Sequence, residues 1–168
     1  MILYGEILKE FQKRNVKYII VGGIAFNLLG GERSTSDLDI LVEMGNANLA
    51  KIVKILTKRG YRVKQPVDPM GIADKSTRED WIHNKNMKAF NFYKEEDFKE
   101  VDIIIETPVS FETAKKTIQH VKLDKITVPV ISINNLIKMK REANRPIDQV
   151  DIQELQEVAK KRENKRHV

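Results

Sequence analysis

The chain has 168 residues, a net charge of +6, 41% hydrophobic and 32% charged residues, and no cysteine. That length suffices for one domain with its own core, and the missing thiols exclude disulfides, thiolate zinc sites and cysteine nucleophiles. The longest nearly apolar stretch, residues 18–31, carries Asn27 and is too short to span a bilayer.

The first residues carry Glu6, Lys9 and Glu10 where an export signal would need its apolar run. The expectation is a cytoplasmic protein with no membrane contact. Of the +6 charge, +4 sits in the segment Lys160–Val168, which leaves the body near +2. We expect a single domain over residues 1–160 and a flexible basic tail over 161–168; helping to hold an RNA is the alternative use of that tail.

Along the chain, Ile2, Leu3, Ile7, Leu8 and Phe11 recur at helical spacing and predict an amphipathic helix over 2–14. Residues 18–21 are β-branched and aromatic, a short buried strand running into Gly22-Gly23. A short helix over 24–29 follows, stopped by Gly30-Gly31. Residues 37–43 read as a second strand, 46–59 as a helix stopped by Gly60, and 61–63 as a third strand. Residues 65–86 carry two prolines, a glycine and scattered charges, and read as an irregular loop with one helical turn at most. Strands are predicted at 87–93, 101–105 and 126–131, with a short helix near 111–117 before the last of them. Ser132 is placed to cap a helix through Arg141. Pro146 opens a final helix through about Lys160. The pattern is a mixed α/β body with a C-terminal helical pair over 132–160.

Strand side chains alternate between faces, so Asp37 and Asp39 share one face while Leu38 and Ile40 share the other. Two like charges on one face repel, and each is costly to desolvate alone. A divalent cation relieves both problems, and Mg²⁺ favours carboxylates together with phosphate oxygens. Gly22-Gly23 stands where a strand enters a helix, so backbone can approach a bulky anion there. Arg33-Ser34-Thr35-Ser36 offers a guanidinium and three hydroxyls just before Asp37. Asp102, inside the apolar run Val101-Asp102-Ile103-Ile104-Ile105, can complete a three-acid cluster if its strand lies beside that of Asp39. Each feature alone is also what a tight turn, a polar loop or a solvated strand end would show.

Together these residues resemble the nucleotidyltransferase superfamily that includes DNA polymerase β. The string from Gly22-Gly23 through Arg33, Thr35, Asp37 and Asp39 looks most like AbiEii-type toxins and the small lincosamide nucleotidyltransferases. Leu136-Ile137-Lys138-Met139-Lys140, followed by Asp148 and Asp151, is similar to the AbiEii pattern of an aliphatic-x-x-x-Lys helix and a later Asp-x-x-Asp. The resemblance implies an α/β (α+β) fold, a mixed-sheet nucleotidyltransferase core flanked by helices. It implies transfer of a nucleoside monophosphate from an NTP donor to an acceptor hydroxyl with release of pyrophosphate. Two Mg²⁺ ions would assist, with Mn²⁺ as a substitute.

Carried over residue by residue, Asp37 and Asp39 would bridge the ions. Asp102 would bind the catalytic ion and take the acceptor's proton. Gly22 and Gly23 would admit the terminal phosphates, while Arg33, Thr35 and Lys140 would bind the nucleotide. The acceptor is either a small molecule such as an antibiotic hydroxyl or, for a toxin-type enzyme, tRNA. A non-catalytic partner in a toxin–antitoxin pair, with an antitoxin protein bound to it, is the remaining reading. Residues 65–86 are the expected place for acceptor specificity. Trp81, Phe90, Phe92 and Tyr93 would either line the acceptor pocket or form core. His83, His120 and His167 read as surface groups.

Overall fold

The computed structural model describes residues 3–167. Ile2, part of the predicted first helix, and Val168, the end of the expected tail, lie outside the described residues. The elements in order are α1 (Gly5–Lys13), β1 (Tyr18–Val21), α2 (Gly22–Leu29), β2 (Leu38–Val42), α3 (Asn46–Lys58) and β3 (Arg62–Val63). A 3₁₀ turn (Pro69–Ala73), α4 (Lys75–His83), β4 (Ala89–Lys94), β5 (Lys99–Ile104) and α5 (Phe111–Lys115) follow. The chain then forms β6 (Gln119–Leu123), β7 (Ile126–Val130), α6 (Ile133–Ala143) and α7 (Pro146–Arg166).

All seven strands join one mixed sheet in the order β3-β4-β5-β2-β1-β7-β6. β1 runs antiparallel to β2 and parallel to β7, while β2 runs parallel to β5. The central strands are the most apolar because helices cover them. Every residue of β1 is buried, and Leu38 and Ile40 of β2 have no exposed surface. In α3, Leu49, Ile52, Val53 and Leu56 turn inward at helical spacing. Asn48 on the same helix accepts from the Lys17 amide and donates to the Lys17 and Glu43 carbonyls, which ties the start of β1 to the end of β2. Ser132 caps α6 as predicted, accepting from the Asn135 amide.

Three differences from the sequence reading have local causes. Residues 75–83 form a helix rather than part of a loop. Asp74 caps it, Trp81 stacks on Phe90 with ring centroids 5.5 Å apart, and buried Arg78 donates to the carbonyls of Ile72 and Met44. Residues 119–123 form an edge strand on β7. The last helix runs to Arg166 instead of ending near Lys160, so the basic segment is helical up to that residue. Its Lys, Arg and Glu residues are strong helix formers. Arg162 also anchors it by donating to the Leu29 carbonyl and to the Gln119 side chain.

Tyr4, just before α1, reaches the middle of the sheet through its side chain. The Tyr4 hydroxyl donates toward the Ser36 carbonyl and accepts from the Glu100 amide. It thereby links the residue before Asp37 to the strand that carries Asp102.

Candidate active site

The register of the central strands assembles the site. Val21 pairs with Asp39 across β1 and β2, and Asp39 pairs with Asp102 across β2 and β5. Directly paired residues project from the same face, so the two carboxylates and the turn after Val21 meet at one place. Gly22 opens α2 with φ +67, and a Cβ there would overlap the Asp39 carboxylate. Only glycine satisfies both the left-handed backbone and that close approach. A Cβ at Gly23 would stand 2.6 Å from the Thr35 hydroxyl and 3.0 Å from the Arg33 guanidinium. Asn27 of α2 fixes the loop by accepting from the Arg33 amide and donating to the Arg33 carbonyl.

The three acids stand in different surroundings. Among the described residues Asp39 has neither an ion pair nor a hydrogen bond through its side chain. Burial, then the charges of Asp102 and Asp37, push its carboxyl up to about 7, with Arg145 and Lys140 pulling the other way. Burial also raises Asp102, against a hydrogen bond from Asn91. Asp37, half-buried just before β2, accepts from the Ser36 hydroxyl at 2.8 Å. Among the described residues no three carboxylates or imidazoles close around one point as the side chains stand. The donor chemistry nonetheless fits a hard divalent ion. Oxygen donors that repel one another stand close together, and the most buried of them has no ion pair among the described residues.

The expected nucleotide-binding cations are already partnered. Lys140 is only 4% exposed, and its ammonium lies 2.6 Å from Asp151 and 3.7 Å from Asp148. Arg33 reaches the same Asp151 oxygen at 2.7 Å. Arg145 binds Asp148 through Nε and Nη2. Asp148 and Asp151 thus tie the loop of Arg33, the helix of Lys140 and the turn of Arg145 into one buried network. Lys140 also lies 5.5 Å above the ring of Phe26.

A cavity of about 660 Å³ opens over Asp39 and Gly22, within the range of small-molecule sites. Its walls come from Lys88, from Ile104, Thr107 and Pro108 at and after the end of β5, from Leu136, Met139 and Lys140 of α6, and from Arg145. Glu106 and Glu142 add negative charge. None of residues 65–86, the expected place for acceptor specificity, lines it. Trp81, Phe90 and Phe92 are buried core and not pocket wall. Sequence reasoning missed Arg145, Asn91, Glu106 and Glu142. The Asn144-Arg145-Pro146 turn was a signal for the first, since a turn between two helices faces whatever their seam faces.

A mixed sheet that presents paired aspartates on adjacent strands beside a glycine turn is the architecture of a nucleotidyltransferase. Residues 4–155 match the profile of the aminoglycoside-2″-adenylyltransferases, and the chain belongs to that family. Solved structures agree on the fold. The lincosamide antibiotic adenylyltransferase LnuA, bound to lincomycin, superposes with TM-score 0.61 at 18% identity, covering 91% of this chain and 94% of that one. ANT(2″)-Ia in complex with adenylyl-2″-tobramycin gives 0.57 at 16% identity, over 91% and 84%. An antigenic nucleotidyltransferase-like protein from Paracoccidioides brasiliensis gives 0.54 at 13% identity, over 91% and 72%. No curated protein sequence matches the chain significantly. Among the described residues no helix is long and apolar enough to cross a membrane.

Proposed function

We propose that this protein transfers the adenylyl group of ATP to a hydroxyl of a small antibiotic-like acceptor. The observation that carries the reading is the direct pairing of Asp39 with Asp102 against the Gly22 turn, where Asp39 and Gly22 line a cavity of small-molecule size. The acceptor oxygen bonds to the α-phosphorus, the bond from that phosphorus to the β-phosphate bridging oxygen breaks, and pyrophosphate leaves. Asp102 takes the proton of the acceptor hydroxyl. Asp37, Asp39 and Asp102 are the residues that would hold Mg²⁺. The bound ions supply charge neutralisation between carboxylates and phosphates and stabilise the entering and leaving oxygens.

Gly22 and Gly23 would let phosphates approach the backbone amides at the start of α2, and Thr35 borders Gly23. Arg145, with 62% of its side chain exposed, and Lys88 are the exposed cations that face the cavity. Lys140 and Arg33 act through the buried network, which holds the wall of the site at a fixed distance from the glycine turn. Glu142, which has no ion pair among the described residues, suits an acceptor that carries an ammonium group, while Glu106 is paired with Lys88 at 3.6 Å.

The test is incubation with α-labelled ATP and Mg²⁺ in the presence of tobramycin, lincomycin or bulk tRNA. Label on a small molecule, with matching pyrophosphate release and loss of both in a chelator, is the expected result. Label on tRNA alone would move the protein to the toxin-type enzymes.

A further inference from the structure

We propose that Gln65 and Asn91 form a positioning relay that sets which oxygen of Asp102 faces the reaction, an inference that rests on the transferase reading above. Asn91 is the direct cross-strand partner of Asp102 on β4, so both side chains rise from the same face of the sheet. The Asn91 side-chain amide donates to Asp102 Oδ1 at 2.7 Å. Gln65 Nε2 donates to Asn91 Oδ1 at 2.7 Å, and Gln65 Oε1 accepts from the Asn91 backbone amide at 3.2 Å.

The orientation of this chain follows from its one unambiguous donor. Which end of an Asn or Gln amide is oxygen must be decided from its partners, but a backbone N–H can only donate. Gln65 Oε1 therefore faces the Asn91 amide, which turns Gln65 Nε2 toward Asn91 Oδ1. With Oδ1 occupied by a donor, Asn91 Nδ2 must point at Asp102. The Lys64 amide, donating to the Asn91 carbonyl at 2.9 Å, holds the end of β3 in the position that brings Gln65 there. Each amide is locked by the one before it, so Asp102 receives a directed hydrogen bond on Oδ1 and keeps Oδ2 for the site. Asn91 and Gln65 touch no reacting atom. They act through Asp102.

Two variants test the relay. Asn91→Ala removes the donor. Gln65→Glu keeps size and the acceptor for the Asn91 amide but replaces the donor to Asn91 Oδ1, so Asn91 turns its own oxygen toward Asp102. We expect crystal structures of both to show Asp102 in a changed or multiple rotamer. We further expect kcat to fall ten- to a hundredfold with KM for ATP within twofold, and Tm to stay within a few degrees of the parent. Mn²⁺ affinity, read by electron paramagnetic resonance, should fall in parallel, and Asn91→Ala should cost nothing further in an Asp102→Asn background. An unchanged single Asp102 rotamer in Asn91→Ala, or an unchanged kcat in an active enzyme, overturns the relay. If the parent turns over no nucleotide at all, the proposed function fails, while the Asp102 rotamer still decides the relay.

Discussion

Asp39 is where stability and function conflict. Its carboxyl is raised from 3.8 to about 7 by burial and by two neighbouring acids, and each pKa unit corresponds to about 1.4 kcal/mol. In the ion-free protein the ionised form is thus a liability on the order of 4 kcal/mol. Asp39→Asn should abolish adenylyl transfer and raise Tm by several degrees, which a thermal melt in chelator beside the activity assay will show. The pH dependence has a definite sign. Between about pH 4 and 7 the folded chain holds a proton that the unfolded chain has released, so stability falls as pH rises through that window. Melts of the parent in chelator should show this loss, and Asp39→Asn should flatten it. The three acids were legible in the sequence because alternation along a strand places Asp37 and Asp39 together and apolar neighbours make Asp102 conspicuous. Asn91 and Gln65 were not, because their meaning depends on a strand register that pairs residue 91 with residue 102.

At the scale of elements, the network around Asp151 joins α6 and α7 to the loop after α2. Asp151→Ala leaves the buried ammonium of Lys140 with only Asp148, 3.7 Å away, and releases Arg33. Removing one partner of a buried pair costs about 3–5 kcal/mol, and at about 2–4 °C per kcal/mol in a chain of this size the melt should fall sharply. Lys140→Met combined with Asp151→Leu should recover much of that stability, since apolar residues of similar volume can replace a buried ion pair. It should not recover transfer, because Arg33 remains loose. Arg162→Ala removes two hydrogen bonds between α7 and the rest of the fold and should lower stability by about 1 kcal/mol, measured by denaturant titration. The buried strands β1, β2 and β5 could be read from their β-branched runs. β6 could not, because every second residue of this edge strand is polar and exposed. α4 escaped because only Arg78 and Trp81 of its residues are buried, which leaves no apolar stripe to detect.

For the whole molecule, one sheet carries both the strands of Asp39 and Asp102 and the outlying β3–β4 pair, and the helices α6 and α7 pack on α2. We expect one cooperative unit. The single tryptophan, Trp81, lies on the β4 side of the sheet, whereas far-ultraviolet circular dichroism reports the helices, α7 included. The two signals should give coincident unfolding curves, and separated midpoints would show that the C-terminal helical pair melts independently. The distribution of charge was legible in the sequence, but its use was not. Composition placed the excess positive charge at the C-terminal end, and only the three-dimensional arrangement shows that Arg162 spends its charge as a structural clamp.

The Tyr4 hydroxyl, wedged between Ser36 and Glu100, gives the molecule a built-in gauge. It senses the spacing of the two strands that carry the acids, and the charge of Asp37 reaches it as well. With only four tyrosines in the chain, biosynthetic fluorotyrosine would yield an assignable ¹⁹F spectrum. Its Tyr4 resonance would move whenever a guest draws the two strands together or apart, so candidate nucleotides and drugs could be sorted by occupancy without waiting for a turnover.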